Sequence, residues 1–177
     1  MKIQEKLDSQ FKLLNESEKP FRNRVEVYAI KDGKLYCGEY EDGSLGVFGG
    51  GTDGEALEEA AAREFEEETG YKVNNLKKVP VDPIEVIWTD AKSDKQKKRM
   101  EKYKGTRTWF FVGEFDDSEK KEKAKGDDGK HNLKNVGLKE LNDKLIKSVK
   151  SDTEDEGIVK QQKVREEVLN YIVDNAD

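Results

Sequence analysis

The sequence predicts one domain of the α+β or α/β class. Short alternating strands and amphipathic helices intermix along the chain, which is the pattern of a sheet covered by helices. No internal repeat is visible, and 177 residues are enough for one real core but few for two.

The elements follow in order. Residues 1–18 read as a helix with Ile3, Leu7, Phe11 and Leu14 on one stripe, ended by Pro20. Residues 24–30 alternate as a strand, with Val25, Val27 and Ala29 on one face. Lys31-Asp32-Gly33-Lys34 is a hairpin turn with Gly where positive φ is needed, and 34–40 is the return strand. Cys37 inside it reads as a small buried residue rather than a reactive thiol. A glycine-rich stretch, 43–51, precedes a helix over 54–69. Thr52 as N-cap and Glu55 at N3 fit a capping box, and Gly70 is the stop. Strands are expected at 71–79, 84–88 and 106–115, with a basic segment, 92–107, among them. Residues 116–132 read as an exposed loop, 136–149 as holding a short helix, and 158–173 as a longer one.

Composition narrows the function. Charged residues are 41% of the chain and the net charge is −6. Overall acidity argues against a duplex-DNA binder. No apolar run is long enough to span a bilayer and the N-terminus lacks a signal-peptide core, so a soluble, cytoplasmic protein is expected. One cysteine and one histidine exclude a disulfide framework and a His- or Cys-rich metal site. Metal chemistry here would rest on carboxylates, which favour magnesium or manganese.

The helix at 54–69 breaks its own pattern. At 100° per residue, Ala60, Ala61 and Phe65 share the buried stripe with Leu57. Glu64 and Glu68 fall within about 20° of Leu57 and Glu67 about 80° away. Solvated charges belong elsewhere, where Glu58, Glu59, Arg63 and Glu66 lie. The three acids also crowd the helix C-terminus, where the macrodipole disfavours them. Rules broken together at one place suggest function. A shared divalent cation is the simplest compensation, a Glu-rich solvated helix end the plain alternative.

Gly49, five residues, Glu55, seven residues, then Arg63-Glu64-Phe65-Glu66-Glu67-Glu68-Thr69-Gly70-Tyr71 resembles the signature of the Nudix hydrolases at every fixed position. The resemblance implies a mixed sheet sandwiched between helices in a single Nudix domain over 22–177, preceded by the N-terminal helical extension over 1–21 that the apolar spacing predicts. It implies metal-dependent hydrolysis of a nucleoside diphosphate linked to another moiety (a nucleotide, nucleotide sugar or dinucleotide) by water attack on phosphorus. Glu64, Glu67 and Glu68 carry over as ligands of Mg2+ or Mn2+, with the Gly49 carbonyl a further candidate and Glu64 a candidate base. Arg63 would orient the carboxylates, or else pair with Glu59. Glu55 has a supporting role in the family, beside its capping-box reading. Gly50 and Gly51 would let the backbone approach metal and phosphates. A base outside the box is sought among Glu114, Asp116 and Asp117, with Glu114 chosen. By analogy the family also offers a homodimer.

Substrate features are sparser. Residues 92–107 hold eight bases and two acids. They can guide a polyphosphate or an RNA 5′ end, or form a solvated hairpin tip. Trp88, Tyr103 and Trp109 are candidates to stack on a base, with core packing favoured for Trp109. Arg22, Arg24 and Arg107 are candidates to contact substrate. Pro80 and Pro83 lie nearer the box than the proline that marks ADP-ribose enzymes, so the subtype stays open. Two alternatives remain: a nucleotide- or RNA-binding regulator on the same scaffold, and an RNA-decapping pyrophosphohydrolase. Residues 49–71 carry eight acids and one base, a net of −7, so the chain's whole excess of negative charge sits in one motif.

Overall fold

The computed structural model describes residues 4–8, 18–41, 43–122, 132–141 and 156–175. Eight strands form one mixed sheet: β1 Phe21–Lys31, β2 Lys34–Glu39, β3 Leu45–Gly46, β4 Phe48–Gly51, β5 Lys72–Lys78, β6 Ile84–Ile87, β7 Gly105–Asp116 and β8 Asn132–Gly137. Three helices have full bounds: α1 Leu57–Thr69, α2 Asp94–Lys102 and α3 Glu156–Asn175. Residues 4–8 and 138–141 are also helical.

β1 is the centre of the sheet. It runs parallel to β7 from Phe21–Gly105 to Ile30–Glu114. Its other edge is shared: β4 pairs antiparallel with residues 24–27 and β2 with residues 29–31. β7 in turn takes β6 beside its first half and β5 beside its second. Among the described residues no strand covers the outer edge of β4. That edge is where the site lies.

Alternation of side chains across β1 and β7 feeds two cores. Val25, Val27, Ala29, Phe111 and Phe115 face α1 and meet Phe48, Ala60, Ala61 and Phe65. Tyr28 and Phe110 face the other way and meet Val168, Leu169 and Ile172 of α3. The expected sandwich of sheet between helices is therefore the observed one. The alanines let α1 lie close to the sheet, and Phe65 meets Phe48 edge-on at 5.5 Å between ring centroids. Cys37 is buried, and burial pushes its thiol up to about 11.

Several local expectations are corrected. The capping box does not form: Asp53 (φ 48) and Gly54 (φ 92) are left-handed, so a turn closes from the Glu55 N–H to the Thr52 carbonyl and the helix starts only at Leu57. Ala56 stands at the N-cap with no side-chain hydrogen bond. The stop at Gly70 (φ 77) is as expected, its N–H on the Glu66 carbonyl. The basic segment is no hairpin tip but contains α2, capped by the Ser93 hydroxyl accepting from the Gln96 N–H. The charged loop ends in a strand, β8, which pairs with all of β2; this pairing supplies neighbours that the polar sequence does not announce. The helices expected at 1–18 and 136–149 are helical at 4–8, at 18 and at 138–141, while 136–137 belong to β8; the remaining residues of each lie outside the described residues, as does His131. Among the described residues no helix is long and apolar enough to cross a membrane.

Candidate active site

The site is built where α1 passes the outer edge of β4. Three glycines in β4 make the approach possible, each for a different neighbour. A Cβ on Gly49 would lie 2.0 Å from the Val25 carbonyl oxygen, one on Gly50 2.2 Å from Glu64 Oε2, and one on Gly51 1.8 Å from Arg22 Nη2. The glycine run is thus required for space at each of the three positions.

Arg63 organises the acids. Its Nε donates to Glu55 Oε2 at 2.8 Å, one Nη1 to Glu64 Oε1 at 2.9 Å and to Glu67 Oε2 at 3.0 Å, and its Nη2 to the Gly51 carbonyl at 3.0 Å. Burial works to lower the Arg63 pKa, but the bonds from Glu55 and Glu64 and the charges of Glu64 and Glu67 outweigh it and raise it. The arginine is therefore a permanent cation. No bond to Glu59 forms, because three carboxylates and a carbonyl already use the guanidinium. Glu55, freed from helix capping, is one arm of this clamp. Glu68 reaches across to β4 and accepts the Gly49 N–H at 3.0 Å. Glu64 is the shielded member at 15% side-chain exposure, against 46% for Glu67.

Glu64, Glu67, Glu68 and Gly49 are thus gathered along one strand edge. As oriented, with two carboxylates turned to Arg63 and one to a backbone amide, no three acids among the described residues enclose an ion position. The donor set nonetheless fits a hard divalent cation: carboxylates and a backbone carbonyl, beside a glycine strand with no side chain in the way.

The outlying candidates fall elsewhere. Glu114 is opposite Ile30, four residues along β1 from the Glu26–Gly49 pair, roughly 13 Å at strand rise. There it accepts from Asn75 Nδ2 at 3.0 Å. The strand-end position that suggested a base puts it at the wrong end of the sheet. Asp116 and Asp117 lie further still, bound to Asn74 and Lys31. Trp88 follows β6, two strands from β1, with its N–H on the Lys104 carbonyl. Arg107 pairs with Glu85 at 2.7 Å and lies against the Phe21 ring, on β7, across β1 from β4. Trp109 packs against the α1-side core and donates to Asn23 Oδ1 at 3.2 Å. Arg24 is brought in: it faces Gly51 across the β1–β4 pair.

Two groups escaped sequence reasoning. A cavity of 430 Å³ lies on the α3 side of β1, with Arg24, Glu26, Tyr28, Tyr40, Gly49 and Arg165 among its walls. Arg165 grips Glu26 with two hydrogen bonds, 2.6 and 3.1 Å. The partners are 139 residues apart, and neither carries a local signal. Gly49 is common to this cavity and to the carboxylate cluster.

A model of the NUDIX domain matches residues 20–155. The chain belongs to the NUDIX family and is a Nudix hydrolase; residues 49–71 are its Nudix box. Comparison with curated proteins finds no significant match. Among solved structures, an ADP compounds hydrolase is similar at 21% identity and TM-score 0.55, covering 90% of this chain and 77% of that one. The mMutator MutT protein from Bacillus halodurans gives 15%, 0.48, 70% and 72%. The Bacillus subtilis pyrophosphohydrolase BsRppH gives 20%, 0.46, 66% and 63%. The first likeness speaks for the fold alone, and the other two add no argument.

Proposed function

We propose that this protein is a divalent-metal-dependent pyrophosphohydrolase that cleaves a nucleoside diphosphate linked to another group. One observation carries the reading: Arg63 holds Glu64 and Glu67 against the Gly51 carbonyl while Glu68 is held at the Gly49 N–H. Such a gathering of acids at the C-terminal end of a helix is unfavourable by itself and has its reason in a cation.

Glu64, Glu67, Glu68 and the Gly49 carbonyl would hold Mg2+ or Mn2+. The ion supplies neutralisation of the diphosphate charge and acidification of water. The chain's own groups do the rest. Arg63 keeps the carboxylates aimed at the strand edge. Glu64, shielded and next to Gly50, is placed to accept a proton from the attacking water. The 430 Å³ cavity behind Gly49 has the size of a small-molecule site and polar groups on its walls, and we assign the nucleoside to it.

The test is a panel of nucleotide and nucleotide-sugar substrates, assayed for the nucleoside monophosphate and its phosphorylated co-product while magnesium or manganese is titrated. Glu67→Gln and Glu68→Gln should each lower kcat by roughly a hundredfold or more with an unchanged melting curve. The amide of Glu68→Gln still accepts the Gly49 N–H, so a lost fold is not expected. Wild-type rates in either variant overturn the metal assignment. Turnover that survives complete chelation overturns the mechanism.

A further inference from the structure

Arg22 and Arg24 stand at the end of β4, on the face turned away from α1, and α2 carries a third guanidinium, Arg99, toward the entry of β1. Arg22 and Arg24 stand two apart on β1 and share that face. Arg24 is the register partner of Gly51, and Arg22 fills the space that a side chain on Gly51 would take. Arg99 arrives from α2, whose C-terminal end is tied to the entry of β1. Lys19 Nζ donates to the Met100 carbonyl at 2.8 Å, and the Lys104 N–H to the Pro20 carbonyl at 3.1 Å. Arg99 lies near enough to the other two that, after burial, their charges are what lower its pKa.

The balancing charge is small. Asp53 lies 3.3 Å from Arg22 Nη2 and is 71% exposed. Among the described residues neither Arg24 nor Arg99 has an ion-pair partner. Glu26, the next acid on that face of β1, is already taken by Arg165, so the like charges of Arg22, Arg24 and Arg99 are left largely unbalanced, a cost without purpose unless an anion joins them. Gly51 links this cluster to the box. Its carbonyl accepts from Arg63, its Cα abuts Arg22, and Arg24 is opposite it.

We propose that Arg22, Arg24 and Arg99 form a second anion subsite that takes a phosphate beyond the scissile linkage. The preferred substrates then carry three or more phosphates in a row rather than a diphosphate ending in a neutral sugar. This deepens the hydrolase reading and rests on it. Guanidinium is the suited group, because its planar fork pairs with two phosphate oxygens at once.

The test separates the two claims. Binding of inorganic tripolyphosphate is measured by calorimetry without divalent metal on wild type, Arg24→Ala, Arg99→Ala and Lys97→Ala. Arg22 is left intact because it packs against Gly51. Arg24→Ala and Arg99→Ala should each weaken binding about tenfold or more. Lys97→Ala, on the same helix and paired with Asp94, should leave it unchanged. Wild-type affinity in Arg99→Ala, or an equal loss in Lys97→Ala, overturns the subsite. With magnesium, Arg99→Ala should also lower kcat/KM for a nucleoside triphosphate far more than for a nucleotide sugar; an equal fall overturns the substrate preference. If wild type turns over no substrate at all, the hydrolase reading fails, while the metal-free titration still decides the subsite.

Discussion

Gly50 stands where any side chain would run into the carboxylate of Glu64: a Cβ there would lie 2.2 Å from Oε2. Glu64 cannot simply move aside, because Oε1 is held by Arg63 at 2.9 Å. Gly50→Ala should therefore shift the acid by an ångström or so and lower kcat by roughly a hundredfold. KM should change much less, and the melting temperature should fall only slightly. Steady-state kinetics with a thermal melt checks this; full activity in Gly50→Ala would sink the assignment of Glu64 to the reaction.

Arg63 is a second sensitive point. Its four bonds use the breadth of the guanidinium, from Glu55 on one side to the Gly51 carbonyl on the other. Lysine keeps the charge but not the fork. Arg63→Lys should lose roughly 1–3 kcal/mol of stability and most activity, since Glu64 and Glu67 lose their common anchor. Urea unfolding and kinetics on the same preparation measure both. A variant with wild-type values in each would show that the clamp is incidental.

Phe65 ties the box to the core. It is fully buried, edge-on to Phe48 at 5.5 Å and to Phe115 at 6.2 Å between ring centroids. Phe65→Ala should cost about 3–5 kcal/mol through the lost transfer energy and the cavity. Phe65→Leu, keeping most of the volume, should cost less. Denaturant midpoints for the pair test whether α1 is anchored by this ring.

Asp116 provides a pH test away from the site. Hydrogen bonds from the Ser118 hydroxyl and N–H, and then from Asn74 Nδ2, hold it down to about 2 from an ordinary 3.8. A carboxyl whose folded pKa is depressed stabilises the fold above its unfolded value and loses that contribution as pH falls through the folded one. The melting temperature should therefore drop between about pH 4 and pH 2, less steeply in Asp116→Asn. The group is exposed, so the difference should shrink in high salt. Identical pH profiles for the two proteins would remove this account.

Glu114→Gln gives the complementary result. With Glu114 at the far end of β7, its turnover should match wild type; a large loss in kcat would return it to the site.

Much of this protein is written locally. The hairpin turn at Asp32-Gly33, the stop at Gly70, the alternation of β1 and the register of Arg63, Glu64, Glu67 and Glu68 on one helix all follow from neighbours within a few residues, because turn geometry and helical period are short-range properties. That was enough to expect the class, the sandwich and the family. The start of α1 departs from its local signal: Asp53 and Gly54 in left-handed conformation override a capping pattern that the letters satisfy. What only the tertiary structure decided are the relations across chain distance. Arg63 chose Glu55 over Glu59, Arg165 reached Glu26, the helix carrying Arg99 was tied to the entry of β1, and Glu114 was carried to the far end of the sheet. Strand order and register fix such pairs, and they depend on which apolar faces pack together rather than on spacing along the chain.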